Sequence, residues 1–218
     1  SPGGLLALAL LISACERIGR LPAQLQIILF VLIPKQTGGV RPIALFASLY
    51  RVWTRLRRPV AAAWISANDR PYFAAGKGRS PENTVWRQSV KAEHAVACKR
   101  SAATILHDMR KFFERFRIEK LEHRAGSHGI PTPLSKLAIG TYRGPRVVRS
   151  GLTVTSPVFA LCGLPAGCGL ADLWVRVYCI DAFDGIVFRA PDACFDFYID
   201  DLTVSAEADS DEEVLRII

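Results

Sequence analysis

The sequence predicts an α+β fold, an antiparallel sheet backed by helices, on three observations. First, apolar and aromatic runs flank an Asp-Asp pair: Cys194-Phe195 and Phe197-Tyr198-Ile199 before Asp200-Asp201, and Leu202-Thr203-Val204 after it. Such runs read as strands, and acids between them read as a tight hairpin with carboxylates at its tip. Second, 25–33 with 40–45, and 146–148 with 152–154, form two more strand pairs. Third, the intervening stretches carry helical spacing or helix-start signals, as in Leu5, Leu8, Ile12 and Cys15.

Bulk properties narrow the function. A chain of 218 residues, half of them hydrophobic, can bury a full core and is not disordered. Its net charge of +8 suits a phosphate-rich partner. Arg and Lys dominate from Lys35 to Arg149, while acids cluster from Asp181 to Glu213. A basic body with an acidic focus fits a nucleic-acid channel leading to a metal site. The six cysteines contain no Cys-x-x-Cys pair, which argues against structural zinc and a disulfide framework and for small buried residues. Leu5 to Ile12 is too short to span a bilayer, so no membrane partner and an intracellular compartment, nuclear or cytoplasmic, are expected. The first residue is Ser, as in an excerpt of a longer protein.

In chain order, a helix is expected over 4–19, then a buried strand over 25–33 ending at Pro34. Lys35 to Gly39 turns into a second strand, Val40 to Leu45. Lys35 and Arg41 near this hairpin's end read either as a solvated basic turn or as a grip on a triphosphate. Ser48 to Ala67 reads as a basic helix interrupted at Pro59. Gly76 to Ser80 is a glycine-rich basic loop without the phosphate-loop pattern, and Ser80-Pro81 starts a helix running to about Lys99. Ser101 to Leu106 is strand-like and leads into His107-Asp108, followed by a charged helix over 109–122. Asp108 reads either as that helix's N-cap or as a functional carboxylate at a strand end. A loop over 127–133 and a short helix over 134–141 precede the strand pair at 146–154. The Gly163-Leu164-Pro165-Ala166-Gly167 turn precedes a helix over about 168–183, either as a plain helix-starting loop or as a place where a base or sugar nears the backbone. Ser210 to Glu213 is a capping box opening a last helix.

Taken jointly, residues 25 to 210 resemble the fingers and palm of a reverse transcriptase, most like those of non-LTR retroelements. Ile33-Pro34-Lys35 to Arg41-Pro42-Ile43 is similar to the fingers motif ending in Arg-Pro-Ile. Asp108-Met109-Arg110-Lys111-Phe112-Phe113-Glu114 resembles the first palm motif, Gly163 to Gly167 the second, and Tyr198-Ile199-Asp200-Asp201 the Tyr-x-Asp-Asp of the third. The resemblance implies a right-hand polymerase with an antiparallel palm sheet and the thumb missing. Residues 1–100 would be fingers and connecting helices, and 101–218 a truncated palm.

It further implies RNA-templated DNA synthesis within a mobile retroelement: nucleotidyl transfer from a dNTP to a primer 3′-hydroxyl, on an RNA template and DNA primer. Two Mg²⁺ ions would serve it, with Mn²⁺ as a substitute. Asp108, Asp200 and Asp201 would be catalytic. They would hold the ions together with the backbone carbonyl of Met109. Lys35, Arg41, Phe113, Gly163, Leu164, Pro165, Ala166, Gly167 and Tyr198 would contact substrate. By the same resemblance Phe113, five residues after Asp108, would exclude a 2′-hydroxyl. Ala166 stands where the family has Gln, and His107 where an apolar residue is usual. These departures admit a second reading, an impaired palm that binds nucleic acid without activity. An RNA-dependent RNA polymerase is the third, disfavoured by Phe113 and Tyr198. The oligomeric state is not legible.

Overall fold

The computed structural model describes every residue except Thr37 and Lys77. In chain order the elements are α1 (Pro2–Ile18), β1 (Ile28–Pro34), β2 (Val40–Leu45), α2 (Ser48–Ala67), α3 (Pro81–Ala97) and β3 (Ser101–Asp108). They continue with α4 (Ile118–Ser127), α5 (Thr132–Tyr142), β4 (Pro145–Ser150), β5 (Thr153–Val154), β6 (Val158–Phe159), α6 (Ala171–Arg189), β7 (Cys194–Tyr198), β8 (Asp201–Ala208) and α7 (Asp211–Ile217). Two compact units each draw on two stretches of chain: 1–66 with 113–178, and 67–112 with 179–218.

The first unit contains a sheet in the order β2-β1-β4-β5, with β6 also on β4. The β1–β2 hairpin is antiparallel, with Ile33 opposite Arg41, whereas β1 and β4 run parallel. That parallel pair joins strands over a hundred residues apart, which local pattern does not encode. The core is built from Tyr50, Trp53, Phe116, Leu121, Leu137, Tyr142, Leu173 and Trp174, all essentially inaccessible. Helix α2 continues through Pro59 instead of breaking there. It buries Tyr50, Trp53 and Thr54 before the proline and Ala61 after it, and this packing outweighs the lost backbone hydrogen bond. Arg57 on this helix does not serve a free basic face. Its guanidinium bonds both oxygens of Glu16, at 2.6 and 2.7 Å, and Glu16 also accepts from the Trp53 indole at 2.7 Å.

The charged helix expected over 109–122 does not form as one piece. Lys111 adopts φ 55°, in the left-handed region that a helix cannot continue through. The carbonyls of Phe113 and Phe116 accept from the amides of Leu164 and Gly163 at 2.8 and 2.7 Å, and helix resumes only at Ile118. Helix α6 also starts later and runs further than expected, over 171–189, and β7 follows at Cys194.

The second unit holds an antiparallel sheet, β3-β8-β7. The free edge of β7 is covered by the segment at 72–74: the Phe197 amide donates to Tyr72 and the Ala74 amide to Phe197, at 2.7 and 2.9 Å. Phe197 packs with Phe73, Phe112 and Phe183. Arg70 and the Tyr72 hydroxyl both bond Asp184 near the end of α6. Helix α3 begins at the expected Ser80 cap, whose hydroxyl accepts from the Asn83 amide. Helix α7 begins at Ser210, which accepts from Glu213. Cys15, Cys168 and Cys179 are buried as small core residues; Cys98, Cys162 and Cys194 are exposed.

Candidate functional site

In the second unit the register of the sheet gathers the acids. Asp108, the last residue of β3, stands directly opposite Asp201, the first of β8, and Asp201 stands opposite Tyr198, the last of β7. Residues directly opposite in an antiparallel pair project on the same face with Cβ atoms about 5 Å apart. One row across three strands is therefore Asp108, Asp201, Tyr198. The hairpin turn is Ile199-Asp200, one residue earlier than the Asp-Asp tip read from sequence. Only the first of these two has positive φ, at 60°, the signature of a type II′ turn. A β-branched residue in that region is strained, and glycine would be the relaxed choice. The turn also ties β3 down: the Met109 amide donates to the Asp200 carbonyl at 3.3 Å.

Asp108 therefore ends a strand and starts no helix, which removes its N-cap reading. Asp108 and Asp201 are exposed, and Asp200 and Met109 are half-buried. Burial, then the charges of Asp200 and Asp108, raise the Asp201 carboxyl above its ordinary value. Among the described residues, no side chain forms an ion pair or hydrogen bond with these three carboxylates. Nor, among the described residues, are three His, Cys, Asp or Glu side chains gathered closely enough to hold a metal ion as they stand. The donor chemistry nevertheless fits a divalent cation. Three hard oxygen donors stand at one strand end, repel one another and, among the described residues, have no basic partner.

The first unit gathers most of the other expected contacts. Gly163, Leu164 and Pro165 are buried, Ala166 is half-buried and Gly167 exposed. The turn is fastened on three sides. Leu164 and Gly163 donate to Phe113 and Phe116, as above. The Ala44 amide on β2 donates to the Ala166 carbonyl at 2.7 Å. Gly167 has φ 110°, and a Cβ there would lie 2.6 Å from the Ala44 carbonyl oxygen, so only glycine allows this approach. The third fastening is Arg146 on β4. Its guanidinium donates to the carbonyls of Cys162, Tyr142 and Gly163 at 3.0, 3.1 and 2.8 Å, and lies 5.9 Å from the Phe30 ring centre. Desolvation lowers its pKa. Phe113 is half-buried and stacks on Phe116. Arg41 is exposed on β2, three residues before Ala44, and Lys35 is exposed at the end of the β1–β2 hairpin. Arg41's strand, Phe113 and the 163–167 turn thus form one hydrogen-bonded assembly.

Sequence reasoning missed Arg146, which read as one basic residue of a strand. Its only signal is position: an Arg at the head of an apolar strand, adjacent to Pro145. The glycine-rich stretch at 76–80 is used differently from a free basic loop. Arg79 bonds the Asp69 carboxylate and the Phe73 carbonyl, and Lys77 lies outside the described residues. His107 is exposed opposite Leu202, with no ligand set around it among the described residues.

Comparison with solved structures places the fold. Apo telomerase from Candida tropicalis, truncated from the C-terminal domain, superposes with a TM-score of 0.56 at 14% identity, covering 89% of this chain and 45% of that one. Telomerase from Candida albicans, in complex with the TWJ fragment of telomeric RNA, gives 0.59 at 11% identity, covering 90% and 40%. The fold is therefore the α+β right-hand polymerase type. Residues 33–218 match the family model described as reverse transcriptase (RNA-dependent DNA polymerase), and the chain belongs to that family. It spans less than half the length of these telomerase chains. No curated protein matches the sequence.

Proposed function

We propose that this chain carries the nucleotidyl-transfer site of an RNA-directed DNA polymerase, adding dNTPs to a primer 3′-hydroxyl on an RNA template, as part of a retroelement. The observation that carries the reading is the register that sets Asp108 opposite Asp201, with Asp200 in the adjoining turn. Asp108, Asp200, Asp201 and the Met109 carbonyl would hold divalent ions, Mg²⁺ or in its place Mn²⁺. Bound there, the ions would supply Lewis-acid stabilisation to the attacking and leaving oxygens.

The remaining roles belong to the chain's own groups. Arg41 presents a planar fork to the triphosphate and Lys35 a point charge. The 163–167 turn offers backbone, not bulk, to the nascent base pair. Phe113 supplies a rigid ring against the sugar, and its backbone bond to Leu164 fixes that ring's carrier to the same turn. Ala166, in place of a polar side chain, leaves recognition at that point to shape. The telomerase from Candida albicans was solved with a telomeric RNA fragment; its fold likeness is consistent with an RNA partner here.

A second reading, a nucleic-acid-binding module without activity, is favoured by one observation. Among the described residues the carboxylates do not form a closed metal cage. Primer extension with dNTPs on an RNA template separates the two. The polymerase reading expects product from the parent chain and none from Asp200→Ala. Template binding without extension by the parent would establish the module.

A further inference from the structure

Away from the acids, a histidine, a cysteine and a glutamate meet at the C-terminal end of α3. His94 and Cys98 are four residues apart and therefore share one helix face. Cys98 Sγ lies 3.5 Å from His94 Nε2. The other ring nitrogen, Nδ1, lies 3.3 Å from Glu207 Oε1 on β8. Glu207 is itself fixed, accepting from Arg100 at 2.9 Å, and Arg100 is in turn paired with Asp209 at 3.0 Å. A carboxylate on one imidazole nitrogen, with the second nitrogen turned toward a thiol, is the orientation that ligating histidines require.

The spacing, that of a thiol–imidazole hydrogen bond, also suits a tetrahedral ion. A tetrahedral centre with Zn–N of about 2.0 Å and Zn–S of about 2.3 Å separates its nitrogen and sulfur by about 3.5 Å. That equals the separation between His94 Nε2 and Cys98 Sγ. We propose that His94 and Cys98 chelate a borderline-soft divalent cation of the Zn²⁺ class, with Glu207 orienting the imidazole. Thiolate and imidazole are poor ligands for Mg²⁺, so this site does not compete with the carboxylates for the hard ion. His94 is 60% exposed, and the remaining coordination positions face solvent. The ion would pin the end of α3 to the His94–Glu207 contact toward the far end of β8, six strand positions from Asp201. Arg100 stands beside the site, and its charge is met by Glu207 and Asp209.

Co²⁺ titration of the full chain tests this, because a thiolate ligand gives a near-ultraviolet charge-transfer band that carboxylate ligands do not. The band should appear in the parent, vanish in Cys98→Ser and persist in Cys162→Ser and in Asp200→Ala. His94→Gln should abolish the band or weaken binding at least tenfold, and Glu207→Gln should weaken it roughly tenfold or more. Zn²⁺ should displace Co²⁺ and Mg²⁺ should not. Circular dichroism of each variant establishes that it is folded. A folded parent without the band, or a band that survives in folded Cys98→Ser, overturns the assignment.

Discussion

Asp201 stands opposite Asp108 across the β3–β8 ladder, and like charges facing each other in a ladder cost stability. Its raised carboxyl pKa fixes the sign. The folded chain binds this proton more tightly than the unfolded chain, so stability falls as pH rises from the unfolded value of about 3.9 through the higher folded one. Asp201→Asn should therefore match the parent in urea denaturation at acid pH and equal or slightly exceed it at pH 7. The gain should be a few tenths of a kcal/mol, because both groups are solvent-exposed. Glu16 behaves oppositely. The Arg57 hydrogen bond, opposed by burial and helped by Trp53, lowers its carboxyl pKa. Its contribution is present above an unfolded value of about 4.3 and is lost as pH falls through the folded one. Glu16→Gln should cost about 2 kcal/mol at pH 7 and less at acid pH, measured by the same denaturation. Arg146→Met leaves three carbonyls without their donor and should cost about 3 kcal/mol; Arg146→Lys should recover part of it. The acids were legible because adjacent carboxylates between strand-like runs are a local pattern. The Arg146 clamp was not, because its carbonyl acceptors come from α5 and from a turn some sixteen residues on.

At the scale of elements, the 163–167 turn is held to β2 by one hydrogen bond and one close approach. Gly167→Ala would place a methyl group against the Ala44 carbonyl at a φ that L-residues resist. It should destabilise the chain by about 2 kcal/mol or more in thermal denaturation and raise the KM for dNTP more than it lowers kcat. The strands were readable where alternation and turn residues agree, as in 25–45. Helix boundaries were not readable where tertiary hydrogen bonds compete. The carbonyls of Phe113 and Phe116 are claimed by Leu164 and Gly163, so a charged stretch of good helix formers becomes a turn and a short tight helix instead. Pro59 misled in the other direction, since burial on both sides of it holds α2 together.

For the whole molecule, the interleaving of the two units was beyond local pattern. Each unit is completed by a segment more than forty residues away along the chain, as in the parallel β1–β4 pair. Charge balance was readable and carries a prediction about partners. A chain of net charge +8 that tracks a phosphate backbone releases counterions, so the logarithm of template affinity should fall linearly and steeply with the logarithm of salt concentration. A flat dependence in filter binding would remove the channel reading. Arg57 and Arg79, committed to Glu16 and Asp69, should contribute little to that slope.

The proposed chemistry requires Asp108, Asp200 and Asp201 to act as one ligand set. Paramagnetic resonance of Mn²⁺ added to the folded chain reads this directly, with Mg²⁺ as competitor. The parent should bind Mn²⁺ in a form that Mg²⁺ displaces, and Asp108→Asn and Asp200→Asn should each lose it while remaining folded. Mn²⁺ binding that is absent from the parent, or unchanged in both variants, would contradict the shared site.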